Sequence, residues 1–147
     1  MQVLPEIVPL TAPYWEGARE GRLMLQHCRS CGLHWHPPEP ICPGCQSAEI
    51  EWTAAAGSGT VHSFTVVTHP THVAFEGRTP YLVALVDLTE GPRVVSGIRD
   101  CPPEGVSIGM PVQVVFEDVG PVMLPQFVPS RVLGAEQVPP DVRRDQA

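Results

Sequence analysis

Two cysteine pairs, Cys28-Arg-Ser-Cys31 and Cys42-Pro-Gly-Cys45, constrain this chain more than any other feature. In a C-x-x-C turn two thiolates of one tight loop point at the same cation, and two such turns supply the four sulfurs of a tetrahedral structural Zn²⁺. Gly32 and Gly44 suit such knuckles because glycine tolerates left-handed backbone angles. The spacer between the pairs, Gly32 to Ile41, is shorter than the roughly 15–20 residues of the commonest double C-x-x-C pattern. A small, compact ribbon is expected.

Other uses of four cysteines fit less well. Two disulfides would suit a secreted protein, yet Met1 to Leu10 carries no positive charge and has prolines at 5 and 9, unlike a secretory signal. A cytoplasmic location is therefore expected. A redox pair needs an exposed low-pKa cysteine in a thioredoxin-like setting, and no such pattern is visible. Iron also takes four thiolates, and ligand type alone does not separate it from zinc. His34 and His36, either side of Trp35, lie between the knuckles, but four cysteines already fill the shell.

The net charge is −7, and the nine positive residues are all arginine. Phosphate-backbone binding needs a positive field, so nucleic acid is not an expected partner. With no lysine in the chain, Schiff-base chemistry and a phosphate-loop lysine are excluded. No apolar run approaches a membrane span. Eighteen prolines predict many short elements and few long helices.

In chain order, residues 1–25 read as an extended arm and a short helix, with Thr11 as its cap and Pro13 in its first turn. Gly17 and Gly21 weaken that helix. Residues 26–53 are the ribbon, entered by a strand through Leu23, Leu25 and His27 and left by one over Glu49 to Trp52. Ala54 to Gly59 reads as a hinge-like joint. Residues 57–130 read as β: Thr60–Thr68, which alternates, the strongly apolar Tyr81–Leu88, Arg93–Arg99 with a bulge expected at Gly97, Pro111–Val119 with clear period-two alternation, and the short Met123–Val128. Five strands with a long first one fit an OB-fold, although spacing alone also permits an SH3-like barrel or a sandwich fragment. Residues 131–147 read as a polar, mobile tail. The expected fold is mainly β: a short N-terminal helix, a rubredoxin-like zinc ribbon and a five-stranded OB barrel.

The order of these pieces resembles one family. Tyr14-Trp15-Glu16-Gly17, Gly21-Arg22-Leu23, Cys28-x-x-Cys31-Gly32, Pro37-Pro38 and Cys42-Pro43-x-Cys45 are similar to the N-terminal zinc ribbon of the acyl-CoA-associated OB-fold proteins, long catalogued as domain-of-unknown-function family thirty-five. Gly57-x-Gly59-Thr60-Val61-x-Ser63-Phe64, Pro80-Tyr81-x-Val83-Ala84, Ile108-Gly109-Met110-Pro111-Val112 and Pro125-x-Phe127-x-Pro129 continue the likeness to about residue 130. It implies an accessory subunit beside a thiolase-superfamily enzyme or a hotdog-fold enoyl-CoA hydratase. Family roles include bridging a thiolase to hydroxymethylglutaryl-CoA synthase, completing a benzylsuccinate-pathway thiolase, and completing an aldolase that shortens a steroid side chain. The chemistry in these cases belongs to the large subunit, and the aldolase type is favoured here.

Three sets of candidate residues follow. Tyr14, Trp15, Leu23 and Trp35 are expected to anchor a partner, since aromatic side chains are enriched in interfaces. The alternative is a helix packed on its own domain. Phe75 and Arg78, in the loop that interrupts the first two barrel strands, with Arg93 or Arg99, are expected to border the CoA adenine and phosphates through stacking and guanidinium forks. Pairing of these arginines with carboxylates on an acidic surface competes with that reading. Cys101, with His62, His69 or His72, would make a Cys–His nucleophile, against which a lone cysteine is commonly a small buried hydrophobe. A nucleic-acid-binding ribbon/OB protein and an acyl-CoA enzyme using Cys101 are the alternative functions.

Overall fold

Helix α1 (Ala12–Arg19) is the first regular element of the described chain, and its surroundings explain the two glycines that weaken it in the sequence. The computed structural model describes residues 3–133. Gly21, at φ 73°, is the left-handed stop that ends the helix. Gly17 is buried, and a Cβ there would lie on top of the Met24 side chain, so its smallness lets α1 close onto the next strand. Thr11 precedes the helix as expected, but its side chain makes no capping bond. It turns back instead: the Val8 N–H donates to its Oγ1 at 3.1 Å, and the hydroxyl donates to the Val8 carbonyl at 3.2 Å.

The ribbon is a three-stranded antiparallel sheet in the order β2-β1-β3, made of β1 (Met24–Cys28), β2 (His34–Trp35) and β3 (Ile50–Ala54). Strands β4 (Ser58–Val67), β5 (Tyr81–Leu88), β6 (Arg93–Ile98), β7 (Pro111–Asp118) and β8 (Met123–Pro129) close into a barrel in the order β4-β5-β6-β8-β7. The parallel β6–β8 contact at Ile98–Phe127 closes it, and this order is that of an OB-fold. Burial alternates without a break along β5, as a strand with one face on a core requires. Val61, Leu82, Val86, Val112 and Phe127 fill the interior.

Two expectations are corrected. Gly97 lies in plain register opposite Val83, and the bulge falls in β4 between Val61 and Ser63, at His62. Glycine is needed at 97 for a different reason: a Cβ there would collide with the Gln126 Oε1 from the neighbouring strand. The stretch 54–59 is not a hinge. The Ala55 N–H donates to the Leu23 carbonyl at 2.7 Å, the Ala56 N–H to Glu90 Oε2 at 2.9 Å and the Val114 N–H to the Gly57 carbonyl at 2.8 Å. Small residues that suggested slack in the sequence allow backbone to approach backbone, and Leu23 and Leu25 enter the barrel's own core. Ser130–Val132 form a 3-10 turn, and the rest of the expected tail, 134–147, lies outside the described residues.

Candidate metal centre

The two knuckles are built alike. Cys28 donates its N–H to the Leu33 carbonyl at 2.9 Å, and its own carbonyl accepts from the Gly32 N–H at 2.8 Å. Cys42 donates to the Ser47 carbonyl and accepts from the Gln46 N–H, each at 2.9 Å, across the same residue intervals. The residue after the second cysteine of each turn is left-handed, Gly32 at φ 79° and Gln46 at φ 63°. Gly44, expected in that role, is not; a Cβ there would sit 3.0 Å from the Leu33 side chain, so it is small to admit the neighbouring knuckle.

This repetition brings the sulfurs together. Sγ of Cys28 lies 3.6 Å from that of Cys45, Sγ of Cys31 lies 3.6 Å from that of Cys42, and all four fall within 4.8 Å of one another. Zn–S bonds of about 2.3 Å in a tetrahedron give S···S edges of about 3.8 Å, so the cage has the dimensions of the ion. No cysteine is in a disulfide. Thiolates packed this closely resist ionising together. The Cys31 backbone N–H is the main cause holding the Cys28 thiol down to about 6. Cys31 is pushed up to about 12: the Leu33 N–H pulls it the other way, but lost solvent and the three neighbouring sulfurs prevail. A divalent cation among the sulfurs removes this conflict. The donor set therefore fits Zn²⁺, with four protein ligands and no open position, a structural site by its chemistry.

The histidines near the knuckles are occupied elsewhere. His34 packs against His27 with ring centres 4.4 Å apart and the planes tilted by 33°, and His27 Nδ1 lies 2.8 Å from Glu51 Oε1. His36 faces Tyr14 at 5.2 Å, and burial lowers its pKa. Of the four expected partner anchors, Leu23 (3% exposed) is buried in the barrel core and Trp35 (7%) in the ribbon. Trp35 packs on Cys28 and Cys42, so both side chains lack the exposed surface a partner anchor requires. Tyr14 packs against the barrel core, and burial pushes its phenol up to about 12. Trp15, edge-on to Tyr14 at 5.0 Å, is half-buried.

The expected CoA residues are divided among several places. Phe75 stacks on Tyr81 at 5.6 Å in the loop between β4 and β5, which also carries Arg78. Arg99 follows β6 at the same end of the barrel, since Ile98 pairs with Leu82. Its guanidinium is 2.5 Å from Glu117. Arg93 begins β6 at the other end, about 20 Å away along an extended strand, and holds Asp87 through Nε at 2.6 Å. Arg78 has no ion pair among the described residues. The competing reading of charge pairing thus holds for Arg93 and Arg99. Asp87 also lies 3.2 Å from His62 Nδ1, a His62–Asp87–Arg93 cluster that no sequence spacing announces because the β4–β5–β6 register assembles it. The Cys101 thiol donates to the Pro102 carbonyl at 3.5 Å, and no histidine is bonded to it among the described residues.

A four-cysteine ribbon locked to a closed five-stranded barrel defines a zinc-ribbon/OB-fold protein. Residues 15–51 match the model of the ChsH2 rubredoxin-like zinc ribbon domain, and residues 52–117 that of the ChsH2 C-terminal OB-fold domain. The chain is 40% identical over 110 residues, 71% of its length, to a DUF35 domain-containing scaffold protein of Methanocaldococcus jannaschii, covering 75% of that protein. It belongs to the DUF35 family. A probable enoyl-CoA hydratase alpha subunit of Thermomonospora curvata is 42% identical over 127 residues, 86% of this chain. The chain spans only 39% of that relative's length. Among solved structures, one described as the Ltp2-ChsH2(DUF35) aldolase superposes with a TM-score of 0.78 at 42% identity, covering 86% of this chain and 99% of that one.

Proposed function

We propose that this chain is the small, non-catalytic subunit of a complex in which a larger thiolase-superfamily enzyme of the aldolase type cleaves or forms a carbon–carbon bond in an acyl-CoA. The observation that carries this reading is the 42% identity to a chain of the Ltp2-ChsH2(DUF35) aldolase, 99% of which is covered. The site chemistry agrees. A closed four-thiolate cage offers a metal no position for substrate, and Cys101 has no hydrogen-bonded base among the described residues. The partner then supplies the nucleophile or general base, and this chain supplies interface and closes the substrate channel. The family resemblance points to steroid side-chain acyl-CoA as one substrate class. Phe75 and Arg78 are the residues best placed to touch CoA: both lie on the loop at one end of the barrel, and Arg78 has no carboxylate partner among the described residues.

Co-expression with a thiolase-like enzyme encoded beside it tests this. A stoichiometric complex, with acyl-CoA cleavage only when both chains are present, is the expected result. Fully active separate components with no contact on mixing would sink it. A second reading, a hotdog-fold hydratase as the partner, is favoured by the hydratase alpha subunit relative. Water addition to an enoyl-CoA by the assembled complex, in place of carbon–carbon cleavage, would select it.

A further inference from the structure

Of the aromatic residues expected to meet a partner, Trp35 is buried and Tyr14 and Trp15 are half-buried, while a different stretch turns outward. Val3, Leu4, Ile7, Val8 and Leu10 are 57%, 39%, 44%, 38% and 39% exposed. Leu33, Ile41, Phe64, Val73, Val95, Ile108 and Val132 are exposed as well, but no two of them lie within seven residues of each other in the chain, whereas the arm places five within eight consecutive positions. Isolated exposed apolar residues are ordinary, whereas a contiguous apolar run marks an interaction site. Residues 3–8 have no regular secondary structure. They are nonetheless held at one end. Val8 and Thr11 exchange two side-chain bonds, and the Thr11 and Ala12 N–H groups both donate to the Val8 carbonyl at 2.9 Å. The arm therefore leaves α1 in a set direction, and α1 is itself seated on the barrel through Tyr14. Pro5 and Pro9 restrict the arm further, which lowers the entropy lost when such a segment is captured.

We infer that residues 3–10 are a docking arm that lies in an apolar groove of the large enzyme subunit. This rests on the accessory-subunit reading above and names the part of this chain that performs it. The arm's charge selects the occupant. Glu6 is its only charged residue, so the matching groove is apolar with a cation opposite Glu6. A second copy of this chain is a poor host, since each copy carries −7 and like-charged molecules repel. The arm precedes residue 15, where the family-model match begins. Eight residues are fewer than the roughly 20–30 that a specific interface uses on each side, so the arm is one part of the contact.

The test measures affinity of the full chain for the large subunit with which it co-purifies, comparing the parent with Leu4→Asp and Ile7→Asp. Both side chains are exposed, so the variants should keep the parent's melting temperature and zinc content. Each should bind at least about tenfold more weakly, the worth of one buried aliphatic side chain. Slowed amide exchange at residues 4–8 in the complex is expected alongside. Variants binding within twofold of a parent that binds would overturn the arm alone and leave the accessory role standing. A parent that binds no large subunit overturns both. A chain that dimerises in sedimentation, with Ile7→Asp monomeric, would reassign the arm to self-association and overturn the inference.

Discussion

The ribbon and the barrel share one backbone joint but draw their stability from different sources. In the ribbon Cys28, Trp35 and Cys42 are the buried hydrophobic cluster, with Ile50 half-buried against them. The barrel surrounds Val61, Val86, Val112 and Phe127 on all sides and recruits Leu23 and Leu25 from the ribbon's approach. A unit below about 40 residues seldom buries enough apolar surface to fold unaided and usually needs a metal or disulfides. Sulfur–metal bonds therefore do for the ribbon what close packing does for the barrel. The shared leucines and the bonded joint make the two one mechanical body.

Removing the metal should separate the two most strongly. Structural zinc contributes about 10–16 kcal/mol of apparent binding free energy in small ribbons, so chelation or Cys42→Ser should unfold residues 26–53. The Trp35 near-ultraviolet signal would disappear while the barrel's β signature remains, and metal analysis of the parent should give one zinc per chain. A ribbon that keeps its signal without metal would break the comparison. Phe127→Ala is the complementary lesion. It should cost the barrel about 3–5 kcal/mol in urea unfolding, with zinc still bound at a mild denaturant concentration.

Gly57→Ala probes the joint. Gly57 sits at φ 79°, and a Cβ there would lie 2.5 Å from Val114 Cγ1. Strain of about 1–3 kcal/mol is expected, and the single unfolding transition should split as ribbon and barrel uncouple. Arg78→Ala should weaken acyl-CoA binding to the assembled complex by about tenfold, the scale of one charge-assisted phosphate contact. Unchanged affinity by calorimetry would remove Arg78 from the CoA path.

The smallest effect belongs to Asp87. The Arg93 guanidinium, with His62 behind it, holds its carboxyl below the usual carboxylate range. A carboxyl depressed in the folded state adds stability that is fully present above its unfolded pKa of about 3.9 and lost as pH falls through the lower folded value. The pair is exposed and screened. Asp87→Asn should therefore shift the melting temperature only slightly at neutral pH, and the difference from the parent should vanish in acid.

Much of the fold was legible because its signals are local. Tyr81–Leu88 was bounded to the residue by its strongly apolar run, and the closed strand order agrees with the OB expectation. Gly17, Gly21 and the small residues of 54–59 were misleading for one reason. Glycine and alanine read as weak or slack on their own, yet here each admits a neighbour that is distant in sequence or ends a turn. Leu23 and Trp35 looked like surface anchors because sequence shows residue type and not the direction a side chain faces.

The metal cage was determined by the amino-acid sequence itself. Two cysteines three apart lie within one turn, and the backbone geometry of that turn aims both sulfurs whatever surrounds it. Register decided the rest. It placed the bulge at His62, joined Asp87 to Arg93 and His62, paired Arg99 with Glu117, and left the N-terminal arm uncovered. Such contacts run from one strand to the next, and only the pairing of the strands determines which side chains meet.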